Sequence, residues 1–330
     1  MLSKKIRFNS FLIIFSLFVL FVCSQSIFAK TTASVNQFNV VFPVENHNQI
    51  IAQQNFDKVE IKTIPLKGNL YLLEGEGGNI GVSVGKDGVV MIDSQFAPLS
   101  TKIKSAISKI SDRPIKYLIN THYHFDHTGG NENFANDGAI IIGHDNLIKQ
   151  MKIPHSIKIL GMEIPASPSN ALPKITFSDT THFSFNDNQI KAFHVAPAHT
   201  DGDIVIHFAD QNVIHTGDLF FNGIYPFIDT SVGGSVEGMI AAIDKILPLC
   251  NQETIIIPGH GKLSNRQELI TFQEMLKTVS QRVKEGIAKN KTLEDLIKEK
   301  ILADLDEKWG KGFLTSDQFL TIAYESLKNS

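Results

Sequence analysis

Short apolar runs bounded by glycine and proline recur between residues 66 and 261, and most of them contain valine or isoleucine. Runs of this length and composition are typical of β-strands, because β-branched side chains pack well on a pleated surface. The first three runs are separated by glycine-rich turns, which predicts a β-meander. The predicted strands cover residues 70–73, 80–84, 89–93, 115–119, 139–142, 183–185, 190–195, 204–208, 213–215 and 254–257.

Apolar residues at helical spacing lie between and after these strands. The spacing predicts a helix over residues 100–110 and another that begins at residue 147. Residues 153–178 contain four prolines, and we expect an irregular loop that covers part of the molecule. Strands followed by helices, twice over, predict the α/β class with two sheets between helix layers. The later predicted helices cover residues 236–247, 266–289, 293–305 and 316–327.

The first 29 residues have the pattern of a secretory signal peptide. A basic start precedes an apolar run at residues 11–22, and Ala29 offers a cleavage site. We therefore expect a periplasmic or secreted protein with no stable membrane insertion after cleavage, and a retained anchor is the alternative. Residues 30–60 are predicted to be an N-terminal extension. Residues 266–330 are predicted to be a C-terminal helical extension packed on the core, although the same helices could form a homodimer.

Charge and cysteine content narrow the range of partners. The formal net charge is −3, and loss of the three basic residues of the signal lowers it to about −6. This mild acidity argues against nucleic acid or an anionic membrane as a partner and leaves a small-molecule substrate. Cys250 is the one cysteine that survives cleavage, so an intramolecular disulfide is excluded. Its apolar neighbours predict a buried thiol.

The densest chemistry lies in the segment HYHFDH at residues 122–127. Imidazole nitrogen and carboxylate oxygen are ligands that Zn²⁺ takes at catalytic sites. His122 and His124 stand two apart, so an extended backbone directs both to the same side. Asp126 and His127 are adjacent, and adjacent side chains cannot easily bind one ion from the same face. The segment therefore predicts two neighbouring metals, one for each pair.

Three further ligand candidates come at the ends of predicted strands, as His122 does. In layered α/β folds, ligands bind in the crevice outside the carboxyl ends of the strands. Four strands that each deliver a ligand predict one site. The three candidates are His199, Asp218 and His260.

Together, these residues resemble the ligand pattern of the metallo-β-lactamase-fold hydrolases, and the resemblance covers roughly residues 66–261. It implies a four-layer αβ/βα sandwich of two mixed β-sheets flanked by helices, with the catalytic domain at residues 61–265. It also implies two zinc ions per chain. The implied ligands are His122, His124 and His199 for the first ion, Asp126, His127 and His260 for the second, and Asp218 as the bridge.

Asp93 ends the strand at residues 89–93 and matches the family's early aspartate. We expect it to accept a hydrogen bond from a ligand imidazole or a neighbouring backbone group, which fixes their orientation. Asp126 is expected to orient the attacking hydroxide held by the metal pair and to carry its proton to the leaving group.

Other histidines and aromatic residues are weaker candidates. His194 and His215 lie inside apolar runs and are predicted to be core residues, whereas His144 is predicted to be a surface group. His155 lies in the predicted covering loop and is a candidate substrate contact. Tyr225 and Phe227 are expected either to line a pocket or to anchor their loop as buried rings.

The predicted function is an exported dinuclear zinc-dependent hydrolase that cleaves a small ester, lactone, thioester or amide by attack of a metal-bound hydroxide. True β-lactamase activity is one alternative, although the residues after Asp218 lack the lysine with which some of those enzymes bind the drug. A zinc-binding protein without turnover is the other alternative.

Overall fold

The computed structural model describes residues 55–328. The predicted signal peptide, most of the predicted N-terminal extension and His47 lie outside the described residues. The strands are β1 (Lys62–Pro65), β2 (Leu70–Glu74), β3 (Ile80–Gly85), β4 (Gly88–Ile92), β5 (Ile115–Ile119), β6 (Ile140–His144), β7 (His155–Ile157), β8 (Met162–Ile164), β9 (Ile175–Phe177), β10 (Thr180–Phe185), β11 (Asn188–His194), β12 (Ile204–Phe208), β13 (Val213–Phe221) and β14 (Ile255–His260).

The helices include every long segment predicted from apolar spacing, with differences at their ends. The predicted helix at residues 293–305 ends early, at Lys298. Among the described residues, no helix is both long and apolar enough to cross a membrane. The helices are α1 (Ser100–Ser108), α2 (Phe125–Thr128), α3 (Asn131–Asn136), α4 (Asp145–Met151), α5 (Val236–Ile246), α6 (Arg266–Ala288), α7 (Leu293–Lys298), α8 (Asp306–Trp309) and α9 (Ser316–Leu327).

Two mixed sheets form the centre of the molecule. The first has the strand order β1-β2-β3-β4-β5-β6-β9, antiparallel from β1 to β4 and parallel from there on. The second has the order β10-β11-β12-β13-β14, in which only the β13–β14 pair is parallel. The predicted meander is therefore β2 to β4, and the sequence pattern missed its edge strand β1. That strand is short, ends in Pro65 and has no buried position, so it lacks a strong strand signal.

Alternating side chains of the first sheet separate two hydrophobic cores. On β4, Val89 and Met91 face the core shared with α1 and α3, whereas Val90 and Ile92 face the second sheet. A third core joins the far side of the second sheet to α5, α6 and α9, and Phe272 lies fully buried within it. The order of layers is therefore helices, sheet, sheet, helices, as the sequence predicts.

Residues 153–178 differ from the predicted irregular loop. They contain the hairpin β7–β8 and the strand β9, which extends the first sheet beside β6. These strands are three residues long, so too few positions alternate to give a readable pattern.

The end of the predicted N-terminal extension packs on the first core. Phe56 is buried there against the ring of Phe96. Lys102 Nζ donates hydrogen bonds to three backbone carbonyl oxygens, those of Phe56, Asp57 and Val59, at 2.7–2.8 Å. This arrangement fixes residues 56–59 against α1.

Candidate metal centre

The segment at residues 122–127 begins three residues beyond β5 and changes conformation midway. His124 has extended backbone angles and precedes α2, which contains Asp126 and His127. Thr128 Oγ1 donates to the carbonyl oxygens of Tyr123 (3.1 Å) and His124 (3.0 Å), which fixes the turn. The two halves of the motif therefore present their side chains in different directions, as the spacing predicts.

The seven predicted ligand residues lie together in two groups, and within each group the potential ligand atoms lie within 4.8 Å of one another. The first group is His122, His124, His199 and Asp218, and the second is Asp126, His127 and His260.

Asp218 lies between these groups. Its Oδ1 is 3.0 Å from His127 Nε2, and its Oδ2 is 3.4 Å from Nε2 of both His199 and His260. His122 Nε2 is 3.8 Å from the same Oδ2. One carboxylate therefore contacts imidazoles of both groups.

The sequence predicts that Asp218 follows a strand that ends at residue 215. In the structure, Asp218 lies inside β13, which continues to Phe221. The pairing of β13 with β14 shifts register between His215 and Gly217, and Gly217 has a φ of +52°. Such an irregularity re-aims the following side chain. All nine residues of β13 are buried, so the strand continues through the site.

Hydrogen bonds hold four of the imidazoles from the side that faces away from the cluster. His122 Nδ1 is 2.9 Å from Thr121 Oγ1, and His199 Nδ1 is 2.8 Å from the carbonyl oxygen of Phe227. Such bonds fix ring orientation and leave the other nitrogen available to a metal. The other two pairs are His127 Nδ1 with Asp93 Oδ2 at 2.7 Å and His124 Nε2 with Asp229 Oδ2 at 3.1 Å.

Asp93 also receives two hydrogen bonds from Thr121, one from its backbone nitrogen and one from its hydroxyl, both at 2.7 Å. It is fully buried and has a φ of +63°, a left-handed conformation that aspartate tolerates better than most residues. The carboxylate therefore contacts both the imidazole of a candidate ligand, His127, and the adjacent backbone, the two kinds of partner named from the sequence.

Groups of opposite charge lie close together in the cluster and shift one another's pKa. Burial alone would lower the pKa of His127, but the carboxylates of Asp218 and Asp126 raise it well above the ordinary value. Burial alone would also lower the pKa of His260, but the carboxylates of Asp218 and Asp126 raise it to about 9. Burial would raise the pKa of Asp126, but His127 and His260 lower it to about 2. Carboxylates and imidazoles on this side therefore form ion pairs, and a metal cation bound here would take the place of the imidazole protons.

On the other side of Asp218, burial favours the neutral form of two imidazoles, those of His122 and His199. Burial lowers the pKa of His199 to about 3, and burial together with His127 lowers that of His122 well below its ordinary value. A neutral imidazole has the lone pair that a metal ligand needs.

Several contacts fit a metal better than they fit hydrogen bonding alone. His122 Nε2 is buried without a hydrogen-bond partner. His124 Nδ1 and His199 Nε2 face one another at 2.8 Å, and His127 Nε2 and His260 Nε2 at 3.3 Å. Imidazole nitrogens that converge on common points beside carboxylate oxygens suit a divalent transition metal such as zinc.

Solvent reaches the cluster on one side. The side chains of Asp126 and His260 are 19% and 17% exposed, whereas each of the other five is exposed by no more than 4%. A substrate that reaches the cluster therefore passes Asp126 and His260.

Two glycines come too close to the cluster to carry a side chain. A Cβ on Gly78 would lie 2.1 Å from His127 Cε1, and one on Gly259 would lie 1.9 Å from Asp218 Oδ1. Asn79 joins the two glycine segments, since its backbone nitrogen donates to the Gly259 carbonyl (2.8 Å) and its Nδ2 to those of Pro258 and Gly261 (both 2.9 Å). The first and second sheets therefore meet at the cluster.

The two aromatic candidates from the sequence, Phe227 and Tyr225, have different surroundings. Phe227 is nearly buried, and its ring centroid lies 5.5 Å from that of His124 and 5.9 Å from that of His199. Tyr225 does not line a pocket. Its side chain is fully buried and its hydroxyl donates to Asp306 Oδ1 at 2.8 Å, so it anchors its loop.

His155 is separated from the candidate ligand His124 by the ring of Tyr123. Its ring centroid is 4.7 Å from that of Tyr123, whose own ring is 4.5 Å from His124.

His144, predicted at the surface, is buried and stacks on His194 at 3.9 Å. Its neighbours in sequence are polar, so the burial comes from a strand distant in the chain.

The sequence pattern missed a hydrogen-bonded pair beside His124. The Tyr123 hydroxyl donates to the carboxylate of Asp229, which also accepts hydrogen bonds from the Ser231 nitrogen (3.1 Å) and hydroxyl (2.5 Å). Burial and the charge of Asp229 raise the pKa of Tyr123 well above its ordinary value, so the hydroxyl remains a donor. The alternation of residues 122–124 could have placed Tyr123 opposite the ligands, but no local signal marks Asp229.

Comparisons with known proteins agree with this fold. The model of the metallo-beta-lactamase superfamily matches residues 67–260. A hydroxyacylglutathione hydrolase of Pelagibacter ubique is 27% identical over 210 residues, covering 61% of this chain and 77% of that protein. An acyl-coenzyme A thioesterase of Bos taurus is 19% identical over 207 residues, covering 59% of this chain and 73% of that protein. A solved metallo-beta-lactamase from Pontibacter korlensis has a TM-score of 0.56 at 17% identity, covering 66% of this chain and 99% of that chain.

Proposed function

Because the chain belongs to the metallo-β-lactamase superfamily, we propose that it is a dinuclear zinc-dependent hydrolase of a small ester, lactone, thioester or amide. The position of Asp218 carries the proposal, since its two oxygens lie 3.0–3.8 Å from imidazoles of both groups. The hydrolases among its relatives support acyl substrates, because two of them are named a hydroxyacylglutathione hydrolase and an acyl-coenzyme A thioesterase.

The proposed ligand set uses the nitrogens that face the cluster. His122 Nε2, His124 Nδ1 and His199 Nε2 would bind one zinc ion. The carboxylate of Asp126 and Nε2 of His127 and His260 would bind the other, and Asp218 would be shared between them. Imidazole and carboxylate donors without a thiolate suit zinc at a catalytic site, where three protein ligands commonly leave a position open.

Zinc, when bound, supplies Lewis acidity toward a carbonyl oxygen and an activated water as the nucleophile. Asp126 is the carboxylate placed to move protons, because its side chain is partly exposed and its Oδ2 lies 3.1 Å from His260 Nε2. It would accept the proton of the nucleophile and return it to the leaving group. Asp93 would keep His127 in one orientation through the bond to Nδ1.

Export remains part of the proposal, on the basis of the basic start and apolar run in residues 1–29. N-terminal sequencing of the mature protein tests it, and the chain should then begin near Lys30.

We expect purified mature protein to contain about two zinc ions per chain and to hydrolyse acyl substrates. Elemental analysis gives the metal content, and initial rates with zinc restored are compared for a lactone, a thioester, a carboxylic ester, a phosphodiester and a β-lactam. Chelation should abolish the rate, and zinc should restore it. His260→Ala should lose mainly one ion.

Each outcome of that panel has a separate meaning. A rate confined to the β-lactam would favour true β-lactamase activity, and bound zinc without any rate would favour a protein that binds zinc without turnover. Only trace transition metal in carefully purified protein would overturn the metal proposal itself.

The pair formed by Tyr123 and Asp229 should control zinc affinity. Asp229→Asn removes the charge that holds His124 Nε2, and Tyr123→Phe removes a hydrogen bond to that charge. Loss of such an orienting partner typically weakens metal binding about 10–100-fold, so we expect this for Asp229→Asn and a smaller loss for Tyr123→Phe. Competition with a chromophoric chelator measures the affinity.

Tyr225→Phe is the matched control, because it also removes a tyrosine hydroxyl bonded to an aspartate, here Asp306. It should lower the free energy of unfolding and leave the zinc affinity unchanged. Equal zinc affinities in Asp229→Asn and the unaltered protein would show that the pair does not orient the metal ligand.

A further inference from the structure

The exposed side of the cluster has an aromatic neighbour from the C-terminal region. Phe313 follows α8 and is 50% exposed. Its ring centroid lies 6.2 Å from that of His260 and 6.4 Å from that of Phe221. Phe221 in turn stacks on His260, with ring centroids 5.2 Å apart and planes inclined by 15°. Phe313 therefore lies beside one of the two residues that a substrate must pass.

The segment that carries Phe313 is held on both sides. A Cβ on Gly312 would lie 2.7 Å from Ile224 Cβ, so the backbone approaches that residue closely. Leu314 is buried, and Asp306 in α8 accepts hydrogen bonds from Tyr225 (2.8 Å) and Ser316 (2.5 Å). The exposure of Phe313 is therefore a property of a packed turn and not of a frayed chain end.

Phe313 differs from the other exposed large apolar residues of the described chain, which are Ile140, Ile153 and Ile175. A single exposed apolar side chain is ordinary on a protein surface. Phe313, however, adjoins His260 at the accessible side of a buried polar cluster, with a second ring behind it. An aromatic wall next to a few convergent polar groups is the usual composition of a small-molecule site.

We propose that Phe313 is the apolar wall of the substrate site and that the preferred substrates carry a medium-length alkyl or an aromatic group next to the scissile bond. Such a group would cover the exposed face of the ring as the carbonyl approaches Asp126 and His260. The inference rests on the proposed function, since it names the substrate class of the same site. The C-terminal region would then select substrates in addition to packing on the core.

Three thioesters test the proposal with a single readout, the released thiol. S-acetyl-N-acetylcysteamine lacks a large apolar group, S-octanoyl-N-acetylcysteamine has one on the acyl side, and phenyl thioacetate has one on the thiol side. Phe313→Ala should reduce kcat/KM about 10-fold or more for at least one of the two apolar substrates, and less than 2-fold for the first. The substrate that responds identifies which side of the bond contacts Phe313.

Phe313→Leu keeps an apolar side chain and should retain most of the rate. Ile140→Ala also removes an exposed apolar side chain, but at the N-terminal end of β6, away from the cluster, and should change none of the three rates. An equal loss on all three substrates in Phe313→Ala, or no loss on any, would overturn the proposal.

Binding of carboxylic acids with and without a large apolar group separates this inference from the proposed function. Calorimetry measures the affinity of zinc-loaded protein for acetate, octanoate and phenylacetate, and it needs no turnover. The unaltered protein should bind octanoate or phenylacetate more tightly than acetate, and Phe313→Ala should remove that difference. If no substrate of the full panel is hydrolysed but the difference in binding depends on Phe313, the hydrolase proposal fails and the apolar wall stands. If the difference persists in Phe313→Ala, the apolar wall is excluded.

Discussion

Asp126→Asn is expected to fold normally and to lose hydrolysis by about 10²–10⁴-fold, the usual contribution of a positioned proton-transfer group. The substitution preserves the shape of the side chain but removes its charge and its ability to hold the proton of the nucleophile. Asp218 cannot replace it, because that carboxylate is almost fully buried between the two groups of histidines. The loss should appear mainly in kcat, measured by steady-state kinetics on the substrate that the panel identifies.

Metal content must be measured beside the rate, because Asp126 is also a proposed zinc ligand. A loss of rate at two zinc ions per chain assigns the effect to proton transfer, and loss of one ion assigns part of it to metal binding.

His194→Gln is the comparison variant. The ring of His194 stacks on His144 and its Nδ1 bonds to the Asp203 carbonyl at 2.8 Å, so its replacement should affect stability more than turnover. Near-normal hydrolysis by Asp126→Asn would rule out the mechanism proposed here, even though the fold would be unaffected.

Gly78→Ala is expected to damage the centre without altering a single ligand. The new Cβ would lie 2.1–2.5 Å from three atoms of the His127 ring. His127 cannot withdraw freely, because it is fully buried and its Nδ1 is bonded to Asp93. The Gly78 segment is also held, since its nitrogen donates to the Asp126 carbonyl (3.1 Å) and its carbonyl accepts from Gln95 Nε2 (2.8 Å). Either the ring or the segment must move.

A displacement of about 1 Å at a catalytic group can cost about 10²-fold in rate, and we expect a loss of this size together with reduced zinc content. Gly143→Ala provides the control, because the nearest atoms to its Cβ would be side-chain atoms of Leu147 and Pro173, at 3.3–3.4 Å. Two zinc ions and an unchanged rate in Gly78→Ala would mean that the close approach is relieved without moving His127.

The candidate ligands can be found in the sequence because most of them are tied to a local pattern. His122 and His124 are two residues apart on extended backbone, and His260 is the last residue of a β-branched strand. Residue type and spacing carry such information without knowledge of the fold. The layer order follows from the same patterns, since the apolar runs alternate with helical segments in the order that the structure shows.

The features that the sequence pattern missed depend on contacts between distant residues. Asp229 reaches His124 across 105 positions of the chain, and nothing in its own neighbourhood distinguishes it from a surface aspartate. The sequence leaves open whether Tyr225 lines a pocket or anchors its loop, because Asp306 and Phe319, which contact it, belong to the C-terminal region. Very short strands such as β7 and β8 also escape, because three residues contain too little alternation.

The contact between His127 and His260 has a consequence for folding kinetics. His122 to His127 can adopt their turn early, because they are neighbours in the chain, whereas His260 reaches His127 across 133 positions. Contacts of such long sequence separation form late, since a large loop must close first. A nascent chain that lacks β14 therefore has most of the ligands but no complete centre, and activity would serve as a reporter of complete folding.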